Sequence, residues 1–382
     1  MALARRRAAH FLLHPGLAGS PPNEALVSAL LGLGLDVDVF APGTTDELRQ
    51  WGERVRLLPV SYDLRWLLRN GISTRWLRYS LVSGTSELPM GVAGIISQLY
   101  RIPTACLADE IRTGSYAGNA PARWKALARR GMRRARLTVV NDPSRIPLQR
   151  DLARLPASSP VLVYPSSFVQ PPAAGDRAAL RARLGIPVDA FVLAYSGVLH
   201  LHNGGLWIPD VLRRCPDVHV WLKTRGADPF VVGLFARVEG ADRLHLDTTD
   251  VTWHEAWASA ALADVGLALY LHDGPQFRHM GTSSNRVCMF LGMGVPVIAT
   301  RQPSFEFLER YGCGVLVDGP EDVAGAVARI RAELPAFRAN ALRCWREHVA
   351  AERRFGELVH ALAHVLDRRT LARAADVKEL AS

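Results

Sequence analysis

The chain has 382 residues, 49% of them apolar and 21% charged, which excludes a largely disordered protein and exceeds what one ordinary core holds. Two domains of ~150–200 residues are expected. The formal net charge of +10 favours anionic partners such as nucleotides, phosphorylated lipids, an acidic membrane surface or nucleic acid. Only Lys125, Lys223 and Lys378 of the basic residues are not arginine.

Five scattered cysteines without a Cys-x-x-Cys pair, and no histidine at ligand spacing, point to buried thiols in a reducing compartment and to no metal site. The basic start is expected to be a first strand rather than a signal peptide, because its apolar run is short and holds His10 and His14. No run approaches the ~20 apolar residues of a membrane span, so any membrane contact is expected to be peripheral.

In chain order, strand 8–13, a Gly/Pro loop, helix 23–33 and strand 36–40 describe the opening of a parallel α/β sheet. Gly16 and Gly19 in that loop are candidates for close approach to a ligand, although no Gly-x-Gly-x-x-Gly is present. Segment 62–79 interleaves Trp66 and Trp76 with leucine and arginine. Segment 122–136 sets Arg123, Lys125, Arg129, Arg130, Arg133, Arg134 and Arg136 around Trp124, with Arg112 ahead of it. Both read as amphipathic basic helices suited to anionic lipid, or as solvated helix faces. No nucleic-acid-binding motif accompanies the charge, so nucleic acid is not an expected partner.

Between these segments, strand 81–84, a helix and strand 103–107 repeat the α/β unit. The second strand ends in Asp109-Glu110. Carboxylates at the carboxyl end of a strand are placed to orient or deprotonate an acceptor hydroxyl; they serve equally as a cap or a surface ion pair. Short strands follow at 137–140 and 161–164, and 166–176 reads as a linker.

A second α/β series starts at strand 191–195 and enters a loop with Gly197 and Asn203. Strand 218–222 ends in Lys223-Thr224-Arg225-Gly226, two cations and a glycine that suit a diphosphate. After a helix at 250–263 and strand 265–270, a polar loop holding Asp273 and His279 leads into Gly281-Thr282-Ser283-Ser284-Asn285-Arg286. This run reads as an N-capped helix over 287–293 followed by strand 296–299. A helix start exposes free N–H groups at a positive dipole end, and Arg286 adds a full charge, so the stretch is a candidate phosphate cradle; it also fits an ordinary capped core helix.

Taken together, strand 263–269, Ser284-Asn285-Arg286, the segment Gly294 to Thr300, Phe305-Glu306 and the segment Tyr311 to Val317 resemble the group-1 (family 4) glycosyltransferases of GT-B architecture. The match is strongest over 191–330. The resemblance implies an α/β fold of two Rossmann-like domains with parallel sheets facing across a cleft. The expected division is an acceptor-side domain 1–166, a linker and entry 167–190 and a donor domain 191–350, with helix 351–382 packing back on the first domain as in the resembling family.

The resemblance further implies metal-independent, retaining transfer of a sugar from a nucleotide diphosphate sugar to a lipid-linked or saccharide acceptor in polysaccharide assembly, without a cofactor. The expected place is the cytoplasm, peripheral on the membrane. Gly197, Asn203, Lys223, Arg225, Asp273, His279, Thr282, Ser283, Ser284, Asn285 and Arg286 would hold the donor. Asp109 and Glu110 would act on the acceptor, which Gly16 and Gly19 would approach. The chain departs from the pattern at Val198, Asn203, Gly281 and Met289, where relatives carry two cations and two glutamates. A non-catalytic scaffold that binds an anionic ligand is the alternative.

Overall fold

A computed structural model describes residues 7–366 apart from 86, 112–120, 199–203, 225–232, 234, 236, 272 and 273. The chain forms two compact units, one of residues up to Val169 together with those from Ala351 onward, the other running from Gln170 to Ala350.

In the first unit, strands β1 (Arg7–Phe11), β2 (Asp36–Ala41), β3 (Val55–Pro59), β4 (Tyr79–Thr85), β5 (Thr104–Ala108), β6 (Leu137–Val140) and β7 (Val161–Val163) form a sheet of order β3-β2-β1-β4-β5-β6-β7. Every described pairing is parallel. The strands read as short continuous apolar runs because helices bury both faces. Helices α1 (Pro21–Gly32), α2 (Glu87–Tyr100) and α3 (Ala122–Arg134) provide most of that cover. One face packs under α1 and the other under α2 and α3.

The second unit contains helices α4 (Arg177–Arg183), α5 (Asn285–Gly292) and α6 (Leu334–Cys344) and the sheet β10-β9-β8-β11-β12-β13. Its strands are β8 (Phe191–Ser196), β9 (Val218–Lys223), β10 (Leu244–Asp247), β11 (Val265–Ala268), β12 (Val297–Thr300) and β13 (Gly314–Val317), again parallel throughout the described pairings. The chain then returns to the first unit as α7 (Ala351–Val365), where Leu358, Leu362 and Val365 join the core with α1.

The structure departs from the sequence reading at three places. Within the interval 167–190, expected as linker and entry, the chain is already folded. Residues from Gln170 belong to the second unit, and α4 is tied down by Arg177 and Arg181, whose guanidinium groups reach Asp264 at 2.6 and 2.9 Å. Strands β3 and β10 escape the sequence pattern; both lie at sheet edges, where fewer side chains are buried and the apolar signal is weak.

Segment 62–79 is not one helix. It breaks into Leu64–Trp66, Leu67–Gly71 and Thr74–Arg78, with Asp63 accepting from the Trp66 N–H at 2.7 Å and Ser73 capping the last turn. Trp76 is fully buried, 5.2 to 6.1 Å from the rings of Tyr79, Phe40 and Phe11, and Trp124 is also buried. These tryptophans are core side chains, not interfacial anchors.

Candidate functional site

In the second unit, consecutive strands run outward in opposite directions from β8 and β11, which lie side by side. Such a switch in strand order opens a crevice beyond the carboxyl ends, where open α/β sheets bind ligands. Ser196 and Gly197 leave β8 at that point, and Tyr270 follows β11.

The start of α5 comes to the same place. Ser284 is fully buried and caps the helix, its Oγ accepting from the Val287 N–H at 3.1 Å and lying 2.6 Å from the Tyr270 hydroxyl. The turn before it is fixed from below: Gln302 Oε1 accepts from the Met280 N–H at 3.1 Å, and Ser304 Oγ accepts from the Gly281 N–H at 3.1 Å. Ser283 donates its hydroxyl to the Met280 carbonyl, and buried Thr282 accepts from the Cys288 thiol at 3.3 Å. These serines and the threonine therefore build the helix start, and Ser283 and Asn285 are its half-buried residues.

Arg286, only 8% exposed, points from α5 to the end of β8. Its Nε donates to the Ser196 carbonyl at 2.6 Å, and its guanidinium lies 4.1 Å from the Tyr195 ring and 5.3 Å from the Tyr270 ring. The two ring faces offset part of the cost of desolvating the cation. Among the described residues no carboxylate pairs with it, and its Nη1 is buried without a hydrogen-bond partner. A charged donor in that state favours an anion as its acceptor.

Gly197 adjoins this group. Its φ of +131° is glycine territory, and a Cβ there would meet Arg286 Nη2 at 2.8 Å. Two stretches far apart in sequence, both expected at the donor, are thus brought into contact. Tyr195 and Tyr270 were not anticipated; their position at the carboxyl ends of adjacent strands was the available signal.

Other expected residues have different surroundings. Lys223, 5% exposed, is paired with buried Asp247 at 3.0 Å and donates to the Thr249 carbonyl at 2.5 Å. Burial alone would raise the Asp247 pKa, but the hydrogen bonds from Lys223 and Thr249 hold it below the usual carboxylate range. Lys223 is therefore a neutralised structural cation rather than a free diphosphate ligand. His279 is half-buried at the end of the short helix Pro275–Arg278. Asn203, Arg225 and Asp273 lie outside the described residues.

The first unit has its own switch between β1 and β4. The loop with Gly16 and Gly19 follows β1 there, yet a Cβ on Gly19 would fall 2.2 Å from Glu47 Oε2. Glu47 therefore sets a carboxylate beside that glycine, which disfavours an anion there. Asp109 and Glu110 are half-buried beyond β5. Asp109 Oδ1 accepts from the Glu110 N–H at 3.0 Å, and the Asp109 carbonyl accepts from buried Arg145 at 3.0 Å.

No protein-family profile matches this chain, and no curated protein sequence does. Solved structures do. The chain superposes on Anabaena HepE in complex with UDP and glucose with a TM-score of 0.74 at 15% identity, covering 94% of this chain and 100% of that one. Sucrose-phosphate synthase from Thermosynechococcus elongatus gives 0.70 at 16% identity, covering 94% and 98%. A glycosyltransferase from Rickettsia africae ESF-5 gives 0.71 at 11% identity, covering 96% and 100%. The chain has the GT-B fold of these glycosyltransferases.

Proposed function

We propose that this chain is a glycosyltransferase that moves a sugar from a nucleotide diphosphate sugar to a lipid-linked or saccharide acceptor in polysaccharide assembly. The observation that carries the reading is the buried Nη1 of Arg286, which has no hydrogen-bond partner among the described residues, at the strand switch beside the capped start of α5. HepE, which shares the fold, was solved with UDP, with UDP and glucose, and with UDP-glucose.

In this reading the diphosphate lies across the Gly197 turn and the α5 start. Arg286 and the helix dipole stabilise the negative charge that grows on the leaving nucleoside diphosphate, in the role a metal ion fills elsewhere. Asp109 or Glu110 positions the acceptor hydroxyl. Retention of configuration rests on the family resemblance. The five buried cysteines, none in a disulfide, suit a reducing, cytoplasmic setting.

A second reading, a non-catalytic scaffold, is favoured by one feature. The places of the two usual glutamates are taken by Met289, 2% exposed in the core, and by Gly281, whose N–H is committed to Ser304. Binding and turnover separate the two. In titration calorimetry with UDP, Arg286→Ala is expected to lose ~10–100-fold in affinity, as for a charge-assisted hydrogen bond, and Arg286→Lys to keep part of it. Lys223→Met is expected to lower stability but leave affinity within about twofold. Wild-type affinity in folded Arg286→Ala overturns the donor site. UDP binding without sugar transfer or hydrolysis from any nucleotide sugar favours the scaffold.

A further inference from the structure

The face of the first unit that carries α2 and α3 combines two features the transferase reading does not use. Along Leu64–Trp66 and Leu67–Gly71, Leu64 and Leu68 lie one turn apart and are 58% and 59% exposed. Ile72 and Leu77 continue the set at 71% and 70%. Leu99 at the end of α2, 57% exposed, is drawn to it because the Tyr100 hydroxyl accepts from the Ser73 N–H at 2.7 Å. Single exposed aliphatic side chains are ordinary, but four leucines and an isoleucine on one short stretch and the adjoining helix end are not.

The second feature is charge. Arg65 and Arg69 alternate with the exposed leucines, and α3 carries six cations and no acidic residue. Arg129, Arg130, Arg133 and Arg134 all face solvent, while Trp124, Ala128 and Met132 are turned into the core. Helix α3 is held against α2 by a glycine contact, since a Cβ on Gly94 would fall 2.5 Å from the Gly131 Cα. The aliphatic set and the cationic helix thus flank α2 on one face of the sheet, above a shared core.

We infer that this face docks the protein on an anionic lipid bilayer, with Leu64, Leu68, Ile72 and Leu77 entering the interface and the α3 arginines lying on the headgroups. A soluble polyanion would use the arginines and leave the leucines in water; a neutral surface would do the reverse. A bilayer of acidic phospholipid matches both. The inserted side chains are aliphatic, because the tryptophans of the same segments are spent on the core. The inference is independent of the donor site, although a lipid-linked acceptor would be reached from such a surface.

Co-sedimentation of the full chain with vesicles of phosphatidylcholine, with and without 30 mol% phosphatidylglycerol (about a third of the lipid), tests it. Binding to the acidic vesicles is expected, with little to the neutral ones. Two double variants, Leu68→Ser with Ile72→Ser and Arg129→Gln with Arg133→Gln, are each expected to weaken it at least ~10-fold. All four side chains are exposed, so unchanged UDP affinity and melting temperature show that the fold and the donor site persist. Equal binding to both vesicle types overturns the inference. So does wild-type binding by the leucine double variant, or competition by heparin with no effect of the leucine changes, which would mark a soluble polyanion or nucleic acid as the ligand.

Discussion

At the scale of single residues, burial decides which charged groups can meet a ligand. Arg286 and Lys223 are both cations at the carboxyl edge of the second sheet and look alike in sequence. Lys223 has Asp247 in register on the neighbouring strand and is neutralised there. Among the described residues Arg286 has the Tyr195 and Tyr270 side chains, the Ser196 carbonyl and a buried Nη1 without a partner. The difference is the partner, and partners across strands are invisible in one dimension.

His10 gives the pH prediction at this scale. The ring is fully buried on β1, 2.9 Å from Ser83 Oγ and 2.8 Å from Asn23 Oδ1, while the Asn23 amide donates to Ser20 at 2.8 Å. That arrangement requires the proton on Nε2. Burial lowers its pKa to about 4, against a smaller opposing effect of the Asn23 hydrogen bond. The unfolded chain takes up a proton near pH 6.5 and the folded chain only near pH 4. Stability is therefore full above pH 6.5 and falls by up to ~3 kcal/mol as pH drops to about 4. Urea unfolding between pH 7.5 and 4.5 measures this, and His10→Gln should flatten the slope by its share.

At the scale of elements, the pairing of α2 with α3 depends on small residues. A Cβ on Gly131 would fall 2.2 Å from the Met90 carbonyl oxygen, and one on Gly94 would strike Gly131 itself. Gly131→Ala should force the helices apart and cost ~1–3 kcal/mol in thermal or urea unfolding, although alanine is the better helix former by ~1 kcal/mol. A stabilised Gly131→Ala protein would show that the helices are free to separate. The sequence marks α3 as basic and amphipathic without revealing why its interior holds a glycine. Segment 62–79 breaks where its apolar spacing suggests one helix: Trp76 is buried and Trp66 half-buried against the same core, on separate turns.

At the scale of the whole molecule, the units differ in how the chain builds them. The second is continuous from Gln170 to Ala350, while the first is completed by α7. Leu358, Leu362, Val365 and Leu366 are at most 5% exposed within its core. Truncation after Ala350 should uncover that core and cost several kcal/mol, since each buried leucine or valine contributes ~1.5–3 kcal/mol. Residues 170–350 expressed alone should fold. Hydrogen exchange on the truncated chain would show protection lost in β1 to β7 and kept in β8 to β13; uniform protection would contradict this division.

The sequence by itself determined the α/β class, nearly all the central strands and the capped start of α5. These follow from local signals, in which apolar runs, caps and glycines act within a few residues of where they stand. Only the tertiary structure decided that Arg286 meets Gly197, that Lys223 belongs to Asp247, that Glu47 closes on Gly19, and that leucines rather than tryptophans face outward below α2. Each of those depends on which strands lie side by side, and strand order is set by packing of the whole sheet rather than by any one stretch.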